Sequence, residues 1–372
     1  MIIKALVCPL NWGLGHASRI IPIIYELIQC KFDVYIGADG YALELLKQEF
    51  PALKFIKFPS YTITYGKRKS LAVKIIIQLP KIIFRILKEH LELTRIISSY
   101  SIDLVISDNR YGLWNKKINT IFITHQIVIK LPKLLRFLEI GIYKLNKQII
   151  SKYNQCWIPD YKDPDNNLTG ELSHKYKIPV NTKFIGPLSR FAKYKKIKSV
   201  VENYKYDLIV ILSGPEPQRT IFEEHITDKI QKSNYKAYIV QGKPGKNPEA
   251  KISKNITAVS HLSTKELFNM INDSKYIICR SGYSTIMDLI VLQRTAILIP
   301  TPGQTEQEYL ARHMSKYFHH INQDKIDLEK SINELQKFQP LFYNRKNKEL
   351  IEYIRQLDLL EKQTKNHNRK KT

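Results

Sequence analysis

Apolar and polar positions along this chain alternate between two periods. Ile2 to Cys8 (IIKALVC) is a short, nearly continuous apolar run ending at a turn, the pattern of a buried strand. From His16 to Gln29 the apolar residues recur at helical spacing, with Ile20, Ile23, Ile24 and Leu27 on one face. Phe32 to Gly37 (FDVYIG) returns to the strand pattern. Strand, glycine-containing turn, helix and strand make a βαβ unit, which crosses over right-handedly to a parallel neighbour. Leu53 to Phe58, Leu104 to Ser107 and Thr120 to Thr124 predict further strands, and Cys156 to Pro159 the end of this sheet. Such a series predicts a doubly wound α/β domain.

Between Gly186 and Tyr206 the chain becomes rich in Lys and Tyr and loses its long apolar runs, as an interdomain linker does. Strand patterns resume at Asp207 to Leu212, Ala237 to Val240, Tyr276 to Cys279 and Ala296 to Pro300, with helical stretches between. The second half repeats the architecture of the first without repeating its sequence. The expected organisation is residues 1–188, a Rossmann-like domain; 206–338, a second one; 339–362, a charged C-terminal helix; and 363–372, a polar, basic, disordered tail.

Composition refines this picture. A length of 372 residues fits two domains, and 44 % apolar content supplies real cores. The net charge of +25 has two readings. It attracts an anionic partner, or it reflects a chain-wide preference for Lys, Ile and Asn. The basic residues are spread out rather than clustered, so nucleic acid is not expected as a partner. Cys8, Cys30, Cys156 and Cys279 form no CxxC pair and no metal-ligand spacing with a His, and read as free thiols of a reducing compartment. No metal site or cofactor is expected. Asp163 and Asp165 form an Asp-x-Asp pair, but in a polar loop. The apolar N-terminus, Met1 to Leu10, is short and has no cleavage pattern, and no apolar run is long enough to span a membrane. The expected location is cytoplasmic. Leu71 to His90 carries Ile75, Ile76, Leu79, Ile82, Ile83 and Ile86 on one face, Lys74, Lys81, Arg85 and Lys88 on another, and Pro80 at a kink; Leu131 to Lys147 is similar in character. Such helices pack on their own sheet, or lie on an anionic membrane.

Four strand-to-helix turns carry candidate chemistry. In the run Asn11 to Arg19 (NWGLGHASR), Gly13 and Gly15 permit a tight turn and close approach to a ligand, and the following helix offers its amides to an anion. Ser18 stands where a dinucleotide fingerprint has its third glycine. His16, at the turn's end, can serve as a general base, bind phosphate or bind a substrate hydroxyl; alternatively it is a helix-start histidine satisfied by the backbone. In the turn from Ser213 to Pro217, Ser213 and the Gly214 backbone can hold phosphate oxygens, or simply turn the chain. In the third (CRSGYSTIMD, Cys279 to Asp288), Ser281 and Gly282 turn the chain and a helix opens near Tyr283. Its amides and the Ser284 and Thr285 hydroxyls suit a pyrophosphate, Arg280 can offset phosphate charge, and Asp288, a turn further on, can accept from a ribose. In the fourth, Gln304, Gln307 and Glu308 can bond sugar hydroxyls, although Thr305 with Glu308 also fits a capping box.

The run CRSGYSTIMD, followed by the proline-rich turn and QTEQEY, closely resembles the donor-binding half of the MurG-like glycosyltransferases, family 28. The opening GLGHASR is similar to that group's N-terminal glycine–histidine loop, which puts Asn11, Gly13 and Gly15 on the acceptor side. His125 and Gln126 resemble its acceptor-domain loop, Gly186 to Arg190 the segment before its linker with Arg190 near the donor phosphate, and His261 and Leu262 its nucleotide-base loop. Asp288 stands where that family has a ribose-binding Glu; Trp12 and Leu14 interrupt its glycine run; Ser213 to Pro217 replaces its Gly-Gly-Ser turn.

The resemblance implies a GT-B fold, two facing Rossmann-like domains with the site between them. It implies metal-independent, inverting transfer of a hexose or N-acetylhexosamine from a nucleotide sugar, UDP-linked, to an acceptor the sequence leaves open. His16 or Asp108 would take the acceptor's proton. An anionic membrane surface is a further candidate partner. A GT-B nucleotide-sugar epimerase and a non-catalytic basic binding protein are the alternatives.

Overall fold

A computed structural model of the chain describes residues 2–60, 71–194, 203–244, 250–341 and 348–369. The first apolar run forms β1 (Lys4–Pro9), buried along both faces as a central parallel strand requires. α1 (Gly15–Gln29) follows, with Ile20, Ile23, Ile24 and Leu27 each 0 % exposed. Then come β2 (Asp33–Ala38), α2 (Gly40–Glu49), β3 (Lys54–Lys57) and α3 (Leu71–Tyr100). β4 (Leu104–Asp108) and β5 (Asn119–Ile123) lead through a 3₁₀ turn, Lys133–Leu138, into α4 (Glu139–Ile150). β6 (Gln155–Ile158), α5 (Glu171–His174) and β7 (Thr182–Phe184) complete the unit. The sheet is seven-stranded, ordered β3-β2-β1-β4-β5-β6-β7, and parallel throughout.

The expected end of this sheet at Pro159 is corrected by β7. Its three residues are only half-buried, so they leave no apolar run to read.

The second sheet, β10-β11-β9-β8-β12-β13-β14, is also seven-stranded and doubly wound. Its elements are β8 (Tyr206–Ile211), α6 (Gln218–Gln231), β9 (Ala237–Val240), β10 (Ala250–Lys251), β11 (Ile256–Val259), α7 (Thr264–Asn272), β12 (Ser274–Cys279), α8 (Tyr283–Leu292), β13 (Ile297–Leu298), α9 (Thr305–His313), β14 (His319–His320) and α10 (Leu328–Leu335). Among the described strands only β10 runs antiparallel, at the edge.

α11 (Lys348–Arg369) closes the chain. Its helical backbone continues from Gln363 to Arg369, into the stretch that reads as a disordered tail, where no Gly or Pro stops a helix. It returns to the first unit: Leu350, Ile354 and Leu357 enter the core cluster that includes α1, and Lys183 sits 4.4 Å from the Tyr353 ring.

Of α3, the residues before Pro80 lie outside the described side chains, including Lys74, Ile75, Ile76 and Leu79. Beyond Pro80 the helix packs by Leu93 and Ile96, while Ile83, Phe84, Leu87 and Leu91 face outward. Among the described side chains of α3, those of the C-terminal half cover the sheet.

Candidate active site

Parallel strands deliver their carboxyl ends to one edge, where the loops of both sheets meet across a cleft. Trp12 to His16 line one wall; Ser213, Gly214 and the start of α8 line the other. The walls touch. Ser284 Oγ donates to the Gly15 carbonyl (2.8 Å), and a Cβ on Gly15 would lie 3.1 Å from that Oγ. Gly15 is needed for this close approach. Thr305 Oγ1 donates to the Lys130 carbonyl (2.6 Å), and the Tyr283 hydroxyl to the Pro159 carbonyl (2.6 Å).

On the first wall, His16 projects from the first turn of α1 and is 8 % exposed. Its Nδ1 lies 3.2 Å from Asp108 Oδ2, at the end of β4, and 2.9 Å from Arg19 NH2. Asp108 is fully buried beneath His16 and does not itself line the cleft. Arg19 binds it through Nε and NH2. Burial alone would raise the Asp108 pKa, but Arg19 and His16 hold it down at about 2. The His16 pKa is lowered by burial and then by Arg19, against the pull of Asp108.

Arg19 NH1 also reaches His125 Nδ1 (2.8 Å), in the loop after β5, and His125 Nε2 meets Glu306 Oε1 (2.9 Å) at the start of α9. The His125 ring stacks on Tyr283 at 4.4 Å with 4° between planes. A continuous hydrogen-bonded chain therefore crosses from β4 to α9.

On the second wall, Gly282 precedes α8 in extended backbone, so the helix opens toward the cleft with first-turn amides that have no intrahelical acceptor. Gly282, Ser284, Thr285, Asp288, Arg190, His261, Leu262, Gln304 and Gln307 all line the cavity, as do Gln126, Gly13 and Gly15. Asp288 accepts from Ser189 Oγ (2.5 Å) and lies 3.4 Å from Arg190 Nε. Its pKa is raised by burial, against the pull of Arg190 and Ser189. His261 is brought down to about 4 by burial and by Arg190.

Several expected contacts are corrected. Arg280 is 0 % exposed and does not face the cavity. Its guanidinium donates to the carbonyls of Ile299, Pro300 and Gln218 and stacks 4.1 Å from Phe222, fastening the loops beneath the site. Ser281 is also buried, donating to the Gln307 carbonyl. Glu308 lies outside the cavity and accepts from the Gly303 amide (3.0 Å); with Thr305 turned to Lys130, no Thr305–Glu308 capping box forms. Gln307 lines the cavity but commits its Oε1 to the Thr301 amide. Asn11 lies against Gly40, with its main-chain N–H donating to Ser60 Oγ, and stays out of the cleft.

The residues missed from sequence are Arg19, Glu306, Tyr283 and Asn109, all cavity-lining. Arg19 had a signal: it follows His16 by one helical turn on the same face. Glu306 had none, since an acidic residue opening a helix reads as an ordinary dipole partner. Cys8, Cys156 and Cys279 are buried with thiols pushed up to about 12, which suits packing rather than nucleophilic chemistry.

Residues 209–369 match the glycosyltransferase family 28 C-terminal domain. An uncharacterized glycosyltransferase of Methanosarcina acetivorans is 24 % identical over 328 residues, covering 83 % of this chain and 82 % of that protein. Among solved structures, Acinetobacter baumannii MurG matches with a TM-score of 0.54 at 13 % identity, over 96 % of this chain and 100 % of that one. Spinosyn rhamnosyltransferase SpnG, complexed with thymidine diphosphate, matches with a TM-score of 0.57 at 12 % identity, over 90 % and 92 %. The two facing doubly wound units are a GT-B fold, and with the family 28 match in its second half the chain is a glycosyltransferase.

Proposed function

We propose that the enzyme transfers a hexose or N-acetylhexosamine from a UDP-linked donor to an acceptor on the N-terminal side, with inversion and without a metal ion. One observation carries this reading: the amide-bearing start of α8, Arg190 and His16 line a single cleft. The base of the nucleotide would sit by His261 and Leu262, its ribose toward Asp288, and its diphosphate over Gly282, Ser284 and Thr285. The sugar would face Gln304, Gln307 and Glu306. As the acceptor oxygen attacks the anomeric carbon, the α8 dipole and Arg190 stabilise the charge gathering on the departing diphosphate. His16, with Asp108 behind it, would receive the acceptor's proton.

A thermal-shift screen of UDP, GDP, dTDP and their sugars tests the donor. A ligand at a hundred times its Kd stabilises the native state by about 2.7 kcal/mol, a readily measured rise in Tm. UDP should give the largest shift, and the UDP-sugar incubated alone should remain unepimerised. Absence of stabilisation by every nucleotide would overturn the reading.

We also propose that the enzyme works at the cytoplasmic face of an anionic membrane. No helix among the described residues is long and apolar enough to cross one. Two segments of the N-terminal unit instead present apolar side chains among cations: Phe84 (66 % exposed) and Leu87 beside Lys81, Arg85 and Lys88, and Leu134 (89 %) and Phe137 beside Lys133 and Arg136. Flotation with anionic but not neutral vesicles, lost in Leu134→Asp/Phe137→Asp, is the expected result; equal flotation with both lipids would contradict it.

A further inference from the structure

Arg19 is 2 % exposed and is hydrogen-bonded to three groups of the acid–base site. A guanidinium only donates and a carboxylate only accepts. At His125 these two facts leave one arrangement. Nδ1 faces Arg19 NH1 at 2.8 Å and must offer its lone pair; Nε2 faces Glu306 Oε1 at 2.9 Å and must carry the proton. A second proton on this ring would point into the guanidinium.

At His16, Arg19 and Asp108 contend for one ring nitrogen. Arg19 NH2 stands at 2.9 Å from Nδ1 and Asp108 Oδ2 at 3.2 Å. Asp108 already accepts from Arg19 Nε at both oxygens, and from NH2 as well. It has less need of an imidazole proton than the usual carboxylate behind a catalytic histidine.

We propose that Arg19 is the positioning residue of this site, holding His16 and His125 neutral with their Nδ1 lone pairs turned to it and their protons on Nε2. In this resting arrangement His16 offers an N–H to the cleft. It becomes a base in the other neutral tautomer, which carries the same number of protons, with Nδ1–H donating to Asp108 once NH2 yields that nitrogen and the Nε2 lone pair free toward the cleft. Arg19 thereby sets how readily the His16–Asp108 pair accepts the acceptor's proton, and through His125 it ties that setting to Glu306 on the opposite wall. The charged groups around the two rings are Arg19, Asp108 and Glu306, with Tyr283 stacked on His125. Both rings lie below the ordinary histidine range, through burial with a contribution from Arg19.

The catalytic consequence rests on His16 being the acid–base group; the proton positions do not. Imidazole ¹⁵N NMR of the ligand-free wild-type protein at neutral pH should show both rings as neutral Nε2–H tautomers. An Nδ1–H tautomer or an imidazolium at either ring would overturn the proposal, whether or not transferase activity is found. In Arg19→Gln, the acidic limb of kcat/KM should move up by about one pH unit or more as the rings gain protons beside Asp108 and Glu306. Arg19→Lys should bring it most of the way back. A uniform loss of rate with an unmoved limb would mean that Arg19 only supports the fold. Should Arg19→Gln fail to fold, the wild-type spectrum decides.

Discussion

At the scale of single residues, burial decides most of what these side chains do. Arg280 carries a charge with no exposed surface, and burial brings its pKa down to about 9. Arg280→Met leaves three main-chain carbonyls without their donor. It should destabilise the protein by about 2–4 kcal/mol in urea unfolding, with any effect on donor affinity secondary. Asp288 differs, since it is on the cavity wall and fixes Arg190. Asp288→Ala should weaken donor binding about tenfold by calorimetry, roughly 1.4 kcal/mol, and an unchanged affinity would remove it from the donor site. Histidines supply a pH signature. His16, His125 and His261 all have lowered pKa values, with His261 near 4. The unfolded chain binds these protons more readily, so their stabilisation is complete above about pH 6.5 and is lost as pH falls, for His261 through about 4. Urea unfolding at pH 7.5 and pH 5 should show lower stability at pH 5; equal values would contradict the burial of neutral rings. The turn at Gly282, and the helix positions of His16 and Asp288 just after such turns, were legible in the sequence, because a turn after an apolar run marks a strand's carboxyl end. The aim of each side chain was not. Arg280 reads as a phosphate partner by position, yet the carbonyls of Ile299 and Pro300 hold it buried away from the cleft. Glu306 becomes a site residue only through a partner distant in the chain, and Arg19 mainly so, since Asp108 and His125 join the neighbouring His16 around it.

At the scale of elements, long apolar runs were read well and short half-buried ones poorly. β1, β2, β4, β5, β8 and β9 fall within a few residues of their expected positions, because strands buried on both faces are nearly continuous in apolar residues. β7, β10 and β14 lie toward sheet edges and carry too little apolar sequence to stand out. The loop before α1 and the first turn of α8 act as a pair, meeting at Gly15 and Ser284. Gly15→Val inserts branched carbon where a Cβ alone comes within 3.1 Å of Ser284 Oγ. It should prop the walls apart and reduce kcat/KM at least about tenfold, while Tm changes by no more than a few degrees. A large Tm loss with unchanged kcat/KM would show that the contact is only structural.

At the scale of the molecule, two parallel sheets present their carboxyl edges to one cleft, and α11 straps the chain's end back onto the first unit. This arrangement brings the glycine–histidine loop and the α8 terminus, separated by most of the sequence, into contact. The central claim is that the start of α8 receives the diphosphate of an activated sugar. A crystal structure with UDP bound tests it most directly. The predicted result is diphosphate oxygens within hydrogen-bonding distance of the Gly282, Ser284 or Thr285 amides, with Arg190 alongside and His16 on the facing wall. UDP bound elsewhere, with the α8 terminus closed by Gly15 as before, would contradict it.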